Sequence, residues 1–448
     1  MRPGTTRGQK TPPAKSGTRD NRRHPGYISI AGVGVRDRPH PAKVLYSGPF
    51  TVSDERDAMP SDKIYKYTVP IGIDFGPGAI AGLAKTLSRL GANRPLFVCD
   101  KGIRECGLLD IATQTLDSDI AEYSIFDGIA SNPREENVLA ALGVYQSEAC
   151  NGIVAIGGGS VIDAAKGVGL LASNEGDLDT FDILAGGATK IGNKPPPLVA
   201  IPTTAGTGSE VSRGALIITK REGVTRKMIA ASPLLVPQHA ILDPNLTLSL
   251  PPLLTAGSGM DALCHTIEEF LSPRKHPLVE SIALGALELI ARHLPAVMKD
   301  PGDIEGRSQT LMAAMMAGIG FEKGLGVSHS LSHAIGALHD IHHGTLNAVL
   351  LPISFEFNRE AITEEAATRL AGATGVHLSS PGNPLDGIIS WARGLNEEFS
   401  IPPRLRDLGV PGEDREVLVE LAMADHCHRT NPRRCEKADM EEFWERAW

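Results

Sequence analysis

Asp261 and His265, in M-D-A-L-C-H, are spaced four residues apart, as are His329 and His333 in V-S-H-S-L-S-H. That separation puts each pair on one face of a helix. His342-His343-Gly344 follows closely. One carboxylate plus several imidazoles is the donor set that binds a divalent transition metal such as Fe(II) or Zn(II). Five of the chain's 14 histidines lie between residues 329 and 343, in a stretch otherwise apolar and glycine-rich, so a chance cluster on a solvated face is the weaker reading. An ion held this way polarises a carbonyl oxygen or lowers the pKa of a bound alcohol.

The elements that must position these groups fall into two halves. From about residue 64, short apolar runs alternate with helical stretches. Leu96 to Asp100 reads as a buried strand ending in an acid. Gly152 to Ile156 is a second strand, running into Gly157-Gly158-Gly159-Ser160 and a helix from near Val161. Leu198 to Pro202 is a third, feeding the turn Thr203-Thr204-Ala205-Gly206-Thr207-Gly208-Ser209. This alternation implies a parallel sheet covered by helices. A strand entering G-G-G-S and then a helix offers backbone N–H groups and a positive helix end to an anion. With two such loops at strand ends, a dinucleotide crevice is favoured over a ligand-free turn. Asp100 could accept hydrogen bonds from an adenosine ribose and would repel a 2′-phosphate, favouring NAD over NADP; the competing reading is an ordinary helix cap. After Asp243-Pro244-Asn245 the strands stop. Helices are expected at about 252–271, 277–298, 305–319, 326–338, 344–357, 359–374, 383–397, 412–425 and 437–446, punctuated by Pro and Gly. The expected domains are therefore 61–245 and 246–448, preceded by an extension over 1–60.

Composition bounds the function. A chain of 448 residues supports two or three domains with full cores. A net charge of −9 recommends neither nucleic acid nor an anionic membrane as partner. Six cysteines without a C-x-x-C pair suit reduced cytoplasmic thiols rather than disulfides. No apolar run of the length a membrane span needs is expected, and no signal-peptide core opens the chain. The first 44 residues carry ten Lys/Arg against two Asp, with much Pro and Gly, so they are expected to be a disordered tail without a catalytic part.

The segments G-G-G-S-V-I-D-A-A-K (157–166), P-T-T-A-G-T-G-S-E-V (202–211), G-M-D-A-L-C-H-T-I-E (259–268), G-L-G-V-S-H-S-L-S-H-A-I-G (324–336) and H-H-G-T-L-N-A-V-L-L-P (342–352), in this order, resemble the iron-containing, or group III, alcohol dehydrogenases. The resemblance covers roughly residues 64–448. It implies an N-terminal α/β nucleotide-binding domain with a parallel sheet and an all-α C-terminal metal-binding domain, the architecture shared with dehydroquinate synthase. It implies metal ligands at Asp261, His265, His329 and His343, with His333 near the nicotinamide. Gly158, Gly159 and Ser160 would form the pyrophosphate loop, and Asp163 would be the acid beside the nicotinamide. Thr203, Thr204 and Thr207 would form the second cofactor loop, Asp100 would set NAD preference, and Lys227 would lie near the ribose. The implied cofactors are NAD(H) and Fe(II), with Zn(II) a frequent substitute. The implied assembly is a homodimer or larger homo-oligomer.

Hydride transfer between nicotinamide and a small primary alcohol or aldehyde is the expected reaction, with His333 as the candidate proton carrier. Arg213 and Lys323 depart from the residues common in small-alcohol members. A cation at the cleft could pair with an acidic group on the substrate, pointing to an ω-acidic aldehyde such as succinic semialdehyde, the oxidation product of 4-hydroxybutyrate. The alternative is that both charges form salt bridges at the domain surface. Related readings are a glycerol-dehydrogenase-like or maleylacetate-reductase-like enzyme, or a non-catalytic NAD- or metal-binding scaffold. A scaffold would not require His333.

Overall fold

In the β-α half the chain lays down β1 (Gly72–Phe75), β2 (Pro95–Val98), β3 (Ser124–Phe126), β4 (Gly152–Gly157), β5 (Leu198–Pro202), β6 (Gly214–Arg221), β7 (Val224–Ala231) and β8 (His239–Leu242). The structure is a computed structural model that describes residues 67–68, 71–120, 122–221, 223–376 and 383–448. The basic extension expected over 1–60 lies outside the described residues.

Six strands form a parallel sheet in the order β1-β8-β5-β4-β2-β3. Interleaved with them are α1 (Leu83–Leu90), α2 (Lys101–Glu105), α3 (Leu108–Thr113), α4 (Glu135–Ser147) and α5 (Gly159–Ser173). The central strands β2, β4 and β5 are buried along their whole length, so both faces need cover. Leu96, Val98, Ile153, Ala155 and Ala200 face α4 and α5 through Val138, Ala141, Val161 and Ala165. Their neighbours Phe97, Val154, Ile156, Val199 and Ile201 point the other way, onto Leu83, Leu87 and Leu109 of α1 and α3. β6 and β7 form a separate antiparallel hairpin, paired from Gly214↔Ala231 to Arg221↔Val224.

The second half is helical: α6 (Pro252–Leu271), α7 (Pro277–Lys299), α8 (Ile304–Gly320), α9 (Val327–His339), α10 (His343–Phe357), α11 (Glu364–Thr374), α12 (Pro384–Glu398), α13 (Arg415–Ala424) and α14 (Lys437–Ala447). Together with the sheet it forms one compact unit, Tyr65–Trp448. α7 is long and apolar enough by composition to cross a membrane, contrary to the expectation that no run would be. Its Ala283, Leu287, Ile290 and Leu294 are instead spent on the core shared with α6.

α6 is buried on every side from Thr255 to Phe270. A helix without a solvent face belongs at the centre of an array. Its Asp261, His265, Glu268 and Glu269 are therefore polar groups at the centre of that array, where burial costs several kcal/mol per ion unless partners compensate.

Candidate active site

One cavity of about 1250 Å³ opens between the C-terminal edge of the sheet and the helical half. Every candidate residue carried by the sequence, from Asp100 to His343, lines it, with the single exception of Lys323.

At the sheet end, β4 passes through Gly158, Gly159 and Ser160 into the first turn of α5. A Cβ on Gly159 would stand 2.6 Å from the Thr207 side chain, so the two loops can touch only because residue 159 is glycine. Ser160 Oγ donates to the Ser131 carbonyl, and Thr203 N–H donates to the Gly157 carbonyl at 3.0 Å. Thr204 and Thr207 complete this wall. Asp100 lies just beyond β2, which ends at Val98, and its Oδ1 accepts the Ile103 N–H at 2.9 Å as the N-cap of α2. The cap reading is thus realised, while the carboxylate also lines the cavity.

Asp163 uses both oxygens within the protein: Oδ1 accepts from Ser209 Oγ and Oδ2 from the Leu216 N–H at 3.1 Å. Burial pushes its pKa up against the opposing pull of Lys166. Lys166 is fully buried, with Nζ donating to Ser209 Oγ, Ser212 Oγ and the carbonyls of Ser212 and Gly214. Burial lowers its pKa to about 8. Nothing in the local pattern marks this lysine as the bolt joining α5 to β6. Lys227 reaches the cavity from β7, its pKa lowered by burial against the opposing fields of Asp163 and Asp261.

At the helical end, the ligand atoms of Asp261, His265, His329 and His343 lie within 4.8 Å of one another. Asp261 Oδ1 is 3.9 Å from His265 Nε2, 3.8 Å from His329 Nε2 and 3.6 Å from His343 Nε2. These separations are too long for hydrogen bonds. Burial lowers the pKa of His265 to about 4 and that of His343 well below its ordinary value. The uncharged rings of His265 and His343, with His329, therefore surround a shared point beside a carboxylate, an arrangement that fits a divalent cation. Close approach is set by glycine again: a Cβ on Gly344 would stand 2.2 Å from the Gly257 carbonyl oxygen. That contact brings α10, which starts at His343, against α6 one turn before Asp261.

Supporting groups surround the four. His329 Nδ1 lies 2.6 Å from Glu268 Oε2. Glu268 also accepts the N–H groups of Gly326 at 2.7 Å and Ser328 at 3.0 Å, so it caps the positive end of α9 from another helix. Burial alone would raise its pKa, but His329 and these donors outweigh burial and lower it. Asn347 Nδ2 donates to Asp261 Oδ1 at 2.7 Å and stands 3.1 Å from Nε2 of both His329 and His343. His333 stacks on His343 and pairs through Nδ1 with Asp425 Oδ2 at 2.9 Å. Burial pushes His333 down to about 4, so the neutral ring is its resting form near pH 7.

Of the two cations expected to greet an acidic substrate, Lys323 does not reach the cavity. It is 2% exposed, 3.1 Å from Glu280 Oε1 and 2.8 Å from the Phe270 carbonyl. A buried ammonium needs such a partner, and Glu280 supplies it. Arg213 does line the cavity, but Glu322 neutralises it at 2.9 Å. Glu268 and Asn347, which sequence reasoning did not single out, were within reach of periodicity, three and four residues beyond His265 and His343. Asp425 had no local signal.

The sequence profile of iron-containing alcohol dehydrogenases matches residues 70–244, and that of the C-terminal part of the Fe-containing alcohol dehydrogenase family matches residues 255–448. A 4-hydroxybutyrate dehydrogenase of Cupriavidus necator is 39% identical over 389 residues, covering 85% of this chain and 98% of its own. The crystal structure of a 1,3-propanediol oxidoreductase superposes with a TM-score of 0.81 at 34% identity, covering 86% of this chain and all of that one. A sulfoacetaldehyde reductase from Bifidobacterium kashiwanohense, solved in complex with NAD+, superposes with a TM-score of 0.74 at 25% identity over 86% of this chain and 99% of its own. With both profiles matched in order on the two halves that enclose the cavity, the chain belongs to the iron-containing alcohol dehydrogenase family, and it is an NAD-linked alcohol dehydrogenase or aldehyde reductase.

Proposed function

We propose that the chain interconverts a short ω-hydroxy acid and the corresponding ω-oxo acid, with 4-hydroxybutyrate and succinic semialdehyde as the type pair. NAD(H) is the redox partner, and a divalent metal, iron by family, is held by Asp261, His265, His329 and His343. The observation that carries the reaction is the convergence of these four donors in the same cavity as the Gly158–Ser160 loop. The similarity to a 4-hydroxybutyrate dehydrogenase supports the substrate class.

When bound, the metal supplies Lewis-acid stabilisation of the negative charge that grows on a carbonyl oxygen as hydride arrives. The chain supplies the rest. Gly158, Gly159, Ser160 and the threonines at 203, 204 and 207 hold the pyrophosphate side of the cofactor. Asp100 keeps its second oxygen for a ribose, which favours NAD. Asp163 and Lys227 lie on the nicotinamide and ribose side. Asp425 fixes the proton of His333 on Nδ1, leaving Nε2 as an acceptor that can take a proton from an alcohol or return one. The reading also includes a cytoplasmic homodimer or larger homo-oligomer; six free cysteines support a reducing compartment.

The test is initial-rate comparison of the anaerobically Fe(II)-loaded enzyme with succinic semialdehyde, propanal and 3-hydroxypropanal, using NADH and NADPH. Higher kcat/KM for the acid with NADH is the expected result. Preference for 3-hydroxypropanal would shift the assignment to a neutral diol, and no turnover of any with metal bound would sink the reading.

Glu268 positions His329 and raises its donor strength. Glu268→Gln is expected to weaken metal affinity roughly 10- to 100-fold, measured by competition against a fluorescent chelator. An unchanged affinity would remove Glu268 from that role.

A further inference from the structure

We infer that the substrate's carboxylate is bound by Arg274 and Arg429, at the rim of the cavity beside His426, and not by Arg213 or Lys323. This rests on the ω-acid reading above and names the site that would enforce it.

Both arginines line the cavity, and both are exposed. Neither guanidinium has a hydrogen-bond or ion-pair partner among the described residues. Arg213 and Lys323, by contrast, are matched by Glu322 and Glu280. An arginine presents a planar fork of donors that matches a carboxylate, and one left unmatched inside a ligand cleft keeps its full charge for a ligand. The chain's net charge of −9 makes two unmatched cations at one rim the more informative.

Their place relative to the metal donors is fixed from both sides. Arg274 lies three residues past the end of α6, the helix that carries Asp261 and His265. Arg429 lies in the turn Cys427–Thr430, which is pinned to the helix carrying His329 and His333. There Asp425 accepts from Ser330 Oγ at 3.1 Å and pairs with His333, the His428 N–H donates to Ser330 Oγ at 2.8 Å, and Thr430 Oγ1 donates to the Leu325 carbonyl at 2.7 Å. His426 lines the same cavity as the two cations. Both, together with His329, act on its ring, so the three basic side chains share one neighbourhood next to the metal donors. A substrate whose carbonyl sits at the four donors shares this cavity with both arginines. A carboxylate and a sulfonate present the same anionic oxygens to such a pair. A neutral aldehyde would gain nothing from it.

The experiment uses the Fe(II)-loaded full-length enzyme and the ratio of kcat/KM for succinic semialdehyde to that for butanal, which has the same carbon count and no charge. In Arg274→Ala/Arg429→Ala this ratio is expected to fall roughly 10- to 100-fold, as for loss of hydrogen bonds to a charged group, with the change in KM for the acid. Arg274→Lys/Arg429→Lys should recover part of it. Arg213→Ala should leave the ratio within about twofold of wild type, since Glu322 already answers that charge. Calorimetric binding of succinate to the NAD+-bound enzyme should weaken in the double alanine variant by a similar factor. A wild-type enzyme that does not prefer the acid over butanal would defeat the substrate reading itself. A wild-type preference that survives the double substitution, or collapses in Arg213→Ala instead, would leave that reading standing and overturn the arginine site.

Discussion

Asp261→Ala is expected to strip the protein of its metal and to lower kcat/KM by about 10²–10⁴-fold, the several kcal/mol that Lewis-acid stabilisation supplies. Asp261 is the only carboxylate of the four donors, and His265 and His343 beside it are held neutral by burial. Without it, three imidazoles must carry a dication in a pocket where Lys227 adds a further positive field. Asp261→Asn keeps the shape and removes the charge, so an equal loss in that variant assigns the effect to electrostatics and not to packing. Metal content by mass spectrometry and rates with the type substrate read both. One equivalent of tightly bound metal and near wild-type turnover in Asp261→Ala would show that the four-donor reading is wrong.

The second large effect comes from a residue without a side chain. In Gly344→Ala the new methyl would meet the Gly257 carbonyl oxygen at 2.2 Å and its carbon at 2.7 Å, both backbone atoms with no rotamer to give way. Overpacking of this kind costs roughly 1–3 kcal/mol, and relief requires α10 to move off α6. His343 is the first residue of α10, and Asp261 lies one turn along α6, so the shift separates two metal donors directly. Melting curves with and without metal are expected to show a lower Tm and the loss of most of the metal-dependent gain in Tm, which is set by how far free metal exceeds its Kd. Gly372→Ala in α11 is the control: a Cβ there meets nothing within 4 Å, and alanine is the better helix former by about 1 kcal/mol. If Gly344→Ala kept the full metal-dependent gain, the Gly257–Gly344 contact would not be what sets the donor spacing.

How much of this was legible beforehand follows from range. α6 to α14 match the expected helices closely, because Pro or Gly interrupts the sequence at most of the turns between them. α11 is the main exception: it begins at Glu364, after a separate short turn over Arg359–Ala361, where one helix from 359 was expected. β4 and β5 announce themselves as unbroken apolar runs buried on both faces. The hairpin of β6 and β7 does not, because Lys220, Arg221, Arg226 and Lys227 interrupt its alternation and its buried residues fall in short runs instead of alternating. Asp261 and His265, like His329 and His333, were readable from helical spacing, while the choice of Asp261, His265, His329 and His343 as the donor set came from the family resemblance. Asp425 was not readable, because it meets His333 across 92 residues. The error over Lys323 has a similar origin: its sequence neighbour Glu322 does line the cavity, but its partner Glu280 comes from α7, and only the packed helices show that the ammonium turns inward.

The burial of α6 on every side also bears on how the protein is made. Asp261 and His265 leave the ribosome on this helix well before His329 and His343 are translated. At ~5–20 residues per second the 78 residues from His265 to His343 take roughly 4–16 s. Throughout that time the nascent chain holds half a metal site on an apolar rod that α7 and α8 cover only in part, with α10 still to come. Half the donors bind an ion weakly, so the metal joins after α10 has been synthesised and docked. Until then, the face of α6 that α10 will cover stays open to solvent or to a chaperone.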